Sequence, residues 1–315
     1  MTRTTSRRQF IGTAATAGIG LTVAGEGMAS NPGSDKPSGK RIGLALGAGG
    51  ANGLAHVMVI EAMEELDLRP HHIAGSSIGA VIGALYAGGM DSKAIRELID
   101  QYFVNDAENL MDEIMPDNAL KWAELVDLEL GGGGLLSGES VVEKIYSELE
   151  DRAFSDLEIP LSIVTSDLWS REQVVFEEGP LRPAVQASMS LPGVFRPVEI
   201  RDRVLVDGGA VNPVPFDVLP DDCDLIVAVD VTGVRNRPEA TDTTYFQTLF
   251  NSVKVMQQAI VDAKRARQEP DIFIAPAIKD VQALEFYRAE EIYQQAEPAK
   301  QQLKKALREH LEIQA

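Results

Sequence analysis

Short apolar runs, typical of buried strands, alternate along the chain with segments whose apolar residues have helical spacing. The runs that predict strands lie at residues 41–46, 161–165, 173–176, 204–209, 225–230 and 271–275. Helical spacing is found at residues 54–66, 91–115, 181–190, 245–268 and from 281 onwards, the last interrupted at Pro298. Strands that alternate with helices in this way predict an α/β sandwich with a mostly parallel sheet in one domain.

The net charge limits the kinds of binding partner, and the cysteine content limits the kinds of structural site. The 315 residues carry 48 acidic and 29 basic side chains, for a formal net charge of −19. Such a surface repels phosphate backbones, so we expect no nucleic-acid partner, and any peripheral contact with a membrane or lipid should be apolar and local. Cys223 is the only cysteine, which excludes an internal disulfide and a cysteine-based zinc cluster.

The N-terminus predicts export. Paired Arg7 and Arg8 precede a mild apolar run, and Ala29 ends a small-x-small cleavage site. This arrangement resembles a twin-arginine signal peptide, with a disordered basic leader or a short anchor as alternatives. We therefore expect a signal peptide at 1–29, a linker at 30–40, the main domain at 41–280 and a packed C-terminal helical extension at 281–315. The twin-arginine translocation machinery would deliver the protein to a periplasmic or extracellular location.

The segment Gly75-Ser76-Ser77-Ile78-Gly79 predicts a sharp turn from a strand into a helix. Gly75 and Gly79 lie two residues on either side of Ser77, where a Cβ atom would crowd such a turn. Ser76 has no such symmetric pair. Ser77 is therefore the candidate nucleophile.

A glycine-rich segment, residues 47–53, follows the first strand and is here named the glycine loop. Its backbone N–H groups are suited to holding a developing oxyanion at the start of a helix. A dinucleotide-binding loop is the alternative, but the third glycine of that motif is replaced by Asn52, and no P-loop lysine is present. These features argue against a nucleotide cofactor. A second glycine-rich stretch, at 130–138, is expected to be a loop over or beside the site.

The base that would activate Ser77 is more consistent with an aspartate than with a histidine. Of the four histidines, His56, His71 and His72 precede the serine and His310 lies in the last helix, an order that does not fit a catalytic triad. A metal site is not expected either, because His71 and His72 are adjacent and the sequence has no HExxH pattern. Asp207 ends an apolar strand, and Gly208 and Gly209 let the chain turn closely around it; residues 207–209 are here named the Asp207 turn. An ordinary Asp-Gly-Gly turn, with the carboxylate accepting backbone N–H groups, is the structural alternative.

Taken together, the three motifs resemble the patatin-like phospholipase family, over roughly residues 40–276. Two less generic segments, at 187–197 and 212–215, contribute to the resemblance. The resemblance implies a three-layer α/β/α sandwich and a Ser-Asp dyad that hydrolyses lipid acyl esters without a metal or other cofactor. It implies Ser77 as the nucleophile, Asp207 as the proton acceptor, and Gly49 and Gly50 as oxyanion donors. Phospholipids, lysophospholipids or other acyl esters are the expected substrates.

Two residues of the glycine loop depart from the family pattern, which has a glycine in place of Ala48 and an arginine or lysine in place of Asn52. Ala48 is tolerable if its φ angle is negative, and Asn52 removes a charge beside the expected oxyanion site. A catalytically inactive lipid-binding or regulatory protein with the same fold is the alternative function. Acyl transfer to an alcohol is a closely related variant of the proposed chemistry.

Overall fold

The computed structural model describes residues 39–104, 145–149, 151–233 and 245–313. The predicted signal peptide, all but the end of the predicted linker, and the glycine-rich stretch at 130–138 lie outside these residues. The predictions made for those segments therefore stay predictions.

One mixed sheet organises the part of the chain that the structure describes. Its eight strands have the order β5-β6-β3-β2-β1-β7-β8, and β4 pairs with β3 beside this path. Strands β3, β2, β1, β7 and β8 are parallel, whereas β4, β5 and β6 run antiparallel to their neighbours. The strands are β1 (Ile42–Leu46), β2 (His72–Ser76), β3 (Leu161–Asp167), β4 (Gln173–Phe176), β5 (Val198–Ile200), β6 (Arg203–Asp207), β7 (Leu225–Val229) and β8 (Ile272–Ile274).

Helices cover both faces of this sheet, because successive residues of a strand point to opposite sides. In β1, Leu44 and Leu46 belong to the larger apolar cluster, whereas Ala45 belongs to a second cluster on the other face. The small alanines of the second face let Phe216 pack closely against the sheet. The helices are α1 (Ala55–Glu64), α2 (Ile78–Ala87), α3 (Ser92–Ile99), α4 (Leu181–Ser188), α5 (Tyr245–Arg267) and α6 (Ala289–Leu311).

The distribution of buried side chains gives three layers. Helices α1, α2, α3, α4 and α6 contribute to the larger cluster, and α5 contributes Val261 to the second cluster. The α/β sandwich expected from the alternation of elements is thus confirmed, with a sheet that is parallel at its centre and antiparallel at one side. Among the described helices, none is long and apolar enough to cross a membrane.

Two local predictions differ from the structure, and one strand was not predicted. The expected interruption at Pro298 is wrong, because α6 continues through this residue while its buried face packs along α1. Strand β5 was not predicted, since it has only three residues and none of them is fully buried. The helix expected at 91–115 is α-helical only to Ile99 and continues as a π-helical turn to Val104; its remainder lies outside the described residues.

Candidate active site

Ser77 occupies a strained turn between β2 and α2. Its φ of 55° and ψ of −126° lie in a region that side-chain-bearing residues rarely adopt. A Cβ atom on Gly75 would lie 2.6 Å from Ala80 Cα, and one on Gly79 would lie 2.1 Å from Leu46 O. The two flanking glycines therefore allow the close backbone contacts that this turn requires.

The register of β3 explains why Asp207 lies beside this serine. Val164 pairs with Ser76 of β2 and with β4, while the next residue, Thr165, pairs with β4 and with Asp207 of β6. A strand has only two edges, so β2 and β6 must share the edge opposite β4. Because β6 is antiparallel, the C-terminal ends of β2 and β6 meet head to head.

The side chains at these two strand ends are hydrogen-bonded. Ser77 Oγ donates to Asp207 Oδ2 at 2.6 Å, although the two residues are 130 positions apart. Asp207 Oδ1 accepts the backbone N–H of Gly209 at 2.7 Å. One oxygen of Asp207 thus accepts a backbone N–H, as in an ordinary Asp-Gly-Gly turn, and the other accepts the serine hydroxyl.

Burial gives the Asp207 carboxyl unusual basicity. Only 4% of the residue is exposed, compared with 7% of Ser77. Loss of hydration raises the pKa of Asp207 to about 6, and the hydrogen bonds from Ser77 and Gly209 oppose this rise. The carboxylate therefore remains ionised at neutral pH and is a better proton acceptor than a solvated aspartate.

The glycine loop lies between β1 and α1 and presents two unused donors. The backbone N–H groups of Gly47, Ala48 and Ala51 donate to the carbonyls of Val229, Pro213 and Ala283. In contrast, the N–H groups of Gly49 and Gly50 have no acceptor among the residues that the structure describes. The φ of Gly50 is +60°, and Ala48 is not among the residues with positive φ, so the condition stated for its tolerance is met.

Close backbone contacts join the glycine loop to the other two motifs. A Cβ atom on Gly209 would lie 2.7 Å from Ala48 Cβ, so the Asp207 turn packs directly on the loop. A Cβ atom on Gly53 would lie 2.1 Å from the side chain of Ile78, which follows Ser77. The predicted nucleophile, proton acceptor and glycine loop are therefore brought together at one end of the sheet.

Two buried polar residues lie beside this loop. His56 Nε2 lies 2.8 Å from Gly47 O, to which it must donate. Complete burial lowers the pKa of His56 to about 4, so the ring is neutral at pH 7. Asn52 is also buried, and within the described structure its Oδ1 and His56 Nδ1 have no hydrogen-bond partner. His56 thus supports the start of the loop, and neither of its ring nitrogens is hydrogen-bonded to Ser77.

Three residues that the sequence did not single out contact the site. Ser77 N–H donates to Ser188 Oγ at 2.9 Å, and Met189 Sδ lies 3.8 Å from Ser77 Oγ. Ser188 ends α4 and Met189 follows it. Both lie in the segment 187–197, whose resemblance to the family was the sequence signal that could have identified them. Gln257 of α5 donates through Nε2 to Gly209 O at 3.2 Å. No sequence signal distinguishes this glutamine from others on the same helix.

The remaining histidines lie elsewhere. His72 Nε2 lies 2.7 Å from Ser162 Oγ, and His310 Nδ1 lies 3.0 Å from Ala306 O. His71 lies 4.0 Å from Asp222. Within the described ranges, no three or more histidine, cysteine or acidic side chains are placed together to hold a metal ion.

Comparison with known proteins matches this region to one family. The family described as "Patatin-like phospholipase" matches residues 44–220. The matched span includes Gly49, Gly50, Ser77 and Asp207.

Individual relatives cover different shares of the chain. An uncharacterized NTE family protein of Mycobacterium bovis is 34% identical over 202 residues, which are 64% of this chain and 52% of the relative. The lysophospholipase NTE1 of Saccharomyces cerevisiae is 29% identical over 279 residues, 81% of this chain and 16% of the relative. The chain thus spans about half the length of the mycobacterial relative. The crystal structure of VipD from Legionella pneumophila aligns with this chain at a TM-score of 0.45 and 16% identity. The alignment covers 84% of this chain and 67% of the VipD chain.

Proposed function

Because the chain belongs to the patatin-like phospholipase family, we propose that it is a lipid acyl hydrolase that uses a Ser-Asp dyad. The 2.6 Å hydrogen bond from Ser77 Oγ to Asp207 Oδ2 is the observation that carries this proposal. The name of the yeast relative, a lysophospholipase, supports a phospholipid or lysophospholipid acyl ester as the substrate.

Acylation of Ser77 is the first step of the proposed reaction. Ser77 Oγ attacks the ester carbonyl carbon while its proton moves to Asp207 Oδ2. The carbonyl oxygen becomes an oxyanion that the N–H groups of Gly49 and Gly50 stabilise. The tetrahedral intermediate then expels the alcohol or lysolipid, which takes the proton from Asp207 and leaves an acyl-serine.

Deacylation repeats this chemistry with water as the nucleophile. Asp207 accepts a proton from the attacking water, and the new C–O bond forms at the acyl carbonyl. Collapse of the second intermediate breaks the bond to Ser77 Oγ, which recovers the proton from Asp207 and releases the fatty acid. Direct contact between carboxylate and hydroxyl makes a histidine relay unnecessary.

Covalent labelling combined with hydrolysis tests the dyad. A fluorophosphonate probe should label the wild type at Ser77, as located by peptide mass spectrometry. Ser77→Ala should abolish labelling and lower hydrolysis of a soluble ester by more than about a thousandfold. Asp207→Asn should strongly slow both, because the amide cannot accept the proton.

Ser76→Ala is the matched control for this experiment. Ser76 is adjacent and fully buried, and its Oγ has no hydrogen-bond partner among the described residues. This variant should label and hydrolyse like the wild type. An unlabelled wild type, or full activity in Ser77→Ala, would refute the proposal, and lipid binding without turnover would identify the inactive lipid-binding alternative.

We also propose that the protein is exported by the twin-arginine machinery to the periplasm or the exterior of the cell. This part rests on the paired arginines at positions 7 and 8 and the apolar run that follows them. Delivery outside the cytoplasm suits a lipid hydrolase that needs no cofactor. Cell fractionation tests it.

A further inference from the structure

One face of α5 contacts the Asp207 turn and carries a lysine that has no part in the steps above. Gln257 and Val261 are buried on this face, and Gln257 donates its hydrogen bond to Gly209 O. Lys254 precedes Gln257 by three positions and Val261 by seven. This spacing places the three residues on the same side of a helix, with Lys254 one turn before the contact at Gly209.

The N-terminal half of α5 extends between two segments that contact the dyad. Leu249 Cδ2 lies 3.9 Å from the position that a Cβ atom on Gly193 would occupy. Gly193 lies four residues after Met189, whose Sδ is 3.8 Å from Ser77 Oγ. Eight residues further along α5, Gln257 donates a hydrogen bond to Gly209 O in the Asp207 turn. Lys254 therefore lies on a stretch of helix that runs past the candidate active site.

The charge of Lys254 has no counterpart in the described structure. The side chain is partly buried, and loss of hydration lowers the pKa of Lys254 without any opposing carboxylate. The other lysine of α5, Lys264, is also desolvated, but it is paired with Asp217. In a chain with 48 acidic and 29 basic residues, a partly buried lysine with no acidic partner among the described residues is suited to bind an anionic group of a ligand.

We infer that Lys254 binds the phosphate of a lipid head group while the acyl ester lies at Ser77. This inference rests on the proposed function, and it makes a phosphate-bearing lipid the preferred substrate class. Lys254 is then a specificity-determining residue that contacts the part of the substrate not cleaved. An ammonium group on a flexible stem is well suited to phosphate oxygens.

A phosphate fits this place better than the carboxylate of the product. The fatty acid carboxylate forms at Ser77 itself, whereas Lys254 lies three residues, about 4.5 Å along the helix axis, before Gln257, whose side chain contacts Gly209. In a glycerol-based phospholipid only the glycerol backbone separates the phosphate from the ester. One molecule can therefore reach both groups.

Two substrates that differ only in the head group test the inference on the full chain. A lysophosphatidylcholine and a monoacylglycerol with the same acyl chain are presented in the same neutral detergent micelles. Lys254→Gln should raise KM for the lysophospholipid by about tenfold or more, as expected for loss of a charged hydrogen bond. Its kcat for this substrate, and both constants for the monoacylglycerol, should stay within about twofold of the wild type.

Two further variants complete the experiment. Lys254→Arg keeps the charge and should restore KM for the lysophospholipid, which also shows that the position tolerates substitution. Lys279→Gln removes an exposed lysine whose backbone, not its ammonium group, makes the contacts with Gln295, and it should change neither substrate.

The outcomes separate this inference from the proposed function. If Lys254→Gln affects both substrates equally, or neither, while the wild type hydrolyses the monoacylglycerol, the head-group inference is overturned and the hydrolase survives. If the wild type hydrolyses neither ester and resists the fluorophosphonate, the proposed function fails and the inference fails with it.

Discussion

Lowering the pH through 6 should switch off the proposed base. Asp207 accepts a proton only as a carboxylate, and burial raises its pKa to about 6. At pH 7 most molecules have the reactive ionisation state. Below pH 6, protonation of Asp207 removes the acceptor that Ser77 needs for attack.

The size of the loss follows from this pKa. One pH unit below it, about a tenth of the molecules keep the carboxylate, and two units below it about a hundredth. Hence log(kcat/KM) for a soluble neutral ester should fall with a slope of one as the pH drops from 6 to 4. The rate of fluorophosphonate labelling should fall in parallel, because it requires the same ionisation of Asp207.

Two controls make this profile interpretable. Circular dichroism should remain constant over the range, which separates titration of the dyad from acid unfolding. His56 is the second buried group near the loop, and its pKa of about 4 places its protonation at the lower end of the profile. A flat profile from pH 7 to pH 4.5, with the fold intact, would refute the assignment of Asp207 as the proton acceptor.

Three further predictions test stability, the oxyanion donors and export. The folded chain holds the Asp207 proton more tightly than the ordinary pKa of 3.8 implies, so the free energy of unfolding should fall as pH rises from about 4 to 6. Asp207→Asn should therefore raise the free energy of unfolding at pH 7 by at most about 3 kcal/mol, seen as a higher melting temperature, and an unchanged or lower melting temperature would contradict this. Gly49→Ala would place a Cβ atom 2.4 Å from Val231 O, so the loop must shift and kcat for a soluble ester should fall about a hundredfold with little change in KM. Replacing Arg7 and Arg8 by lysines should retain the protein in the cytoplasm, as immunoblots of cell fractions would show, and continued export would argue against the twin-arginine route.

The sequence predicted those elements whose local chemistry is strong. Continuous apolar runs located β1 and β7 because both strands are buried in the centre of the sheet. Glycines spaced around Ser77 located the turn that leads from β2 into α2. The glycine pair at residues 88 and 89 located the end of that helix, which stops at Ala87.

Features that depend on tertiary contacts were not predicted. Strand β5 is short and half-exposed, so its apolar residues form no recognisable run. Pro298 would break an isolated helix, but in α6 the packing of Ile292, Ala296 and Leu303 against the core outweighs the loss of one backbone hydrogen bond. For the same reason, the contact of Gln257 with Gly209 could not be read from the sequence.

The direction of β6 explains how the Asp207 carboxylate, the proposed base, contacts Ser77 directly. Strand β2 pairs with one edge of β3 as far as Val164, and the same edge of β3 continues beyond the end of β2. Antiparallel β6 pairs with this part of the edge from the opposite direction. Its last residue, Asp207, is opposite Thr165, which is next to Val164, the partner of Ser76. Gly208 lies against both neighbouring strands, since a Cβ atom on it would lie 2.1 Å from Val164 O and 2.8 Å from Ser76 Oγ, so a side chain at this position would not fit. The chain turns after Asp207 into the short 3₁₀ helix Gly208–Ala210, and the Asp207 carboxylate lies within hydrogen-bond distance of Ser77 Oγ. Because the carboxylate and the hydroxyl are in direct contact, the proposed proton transfer needs no histidine relay.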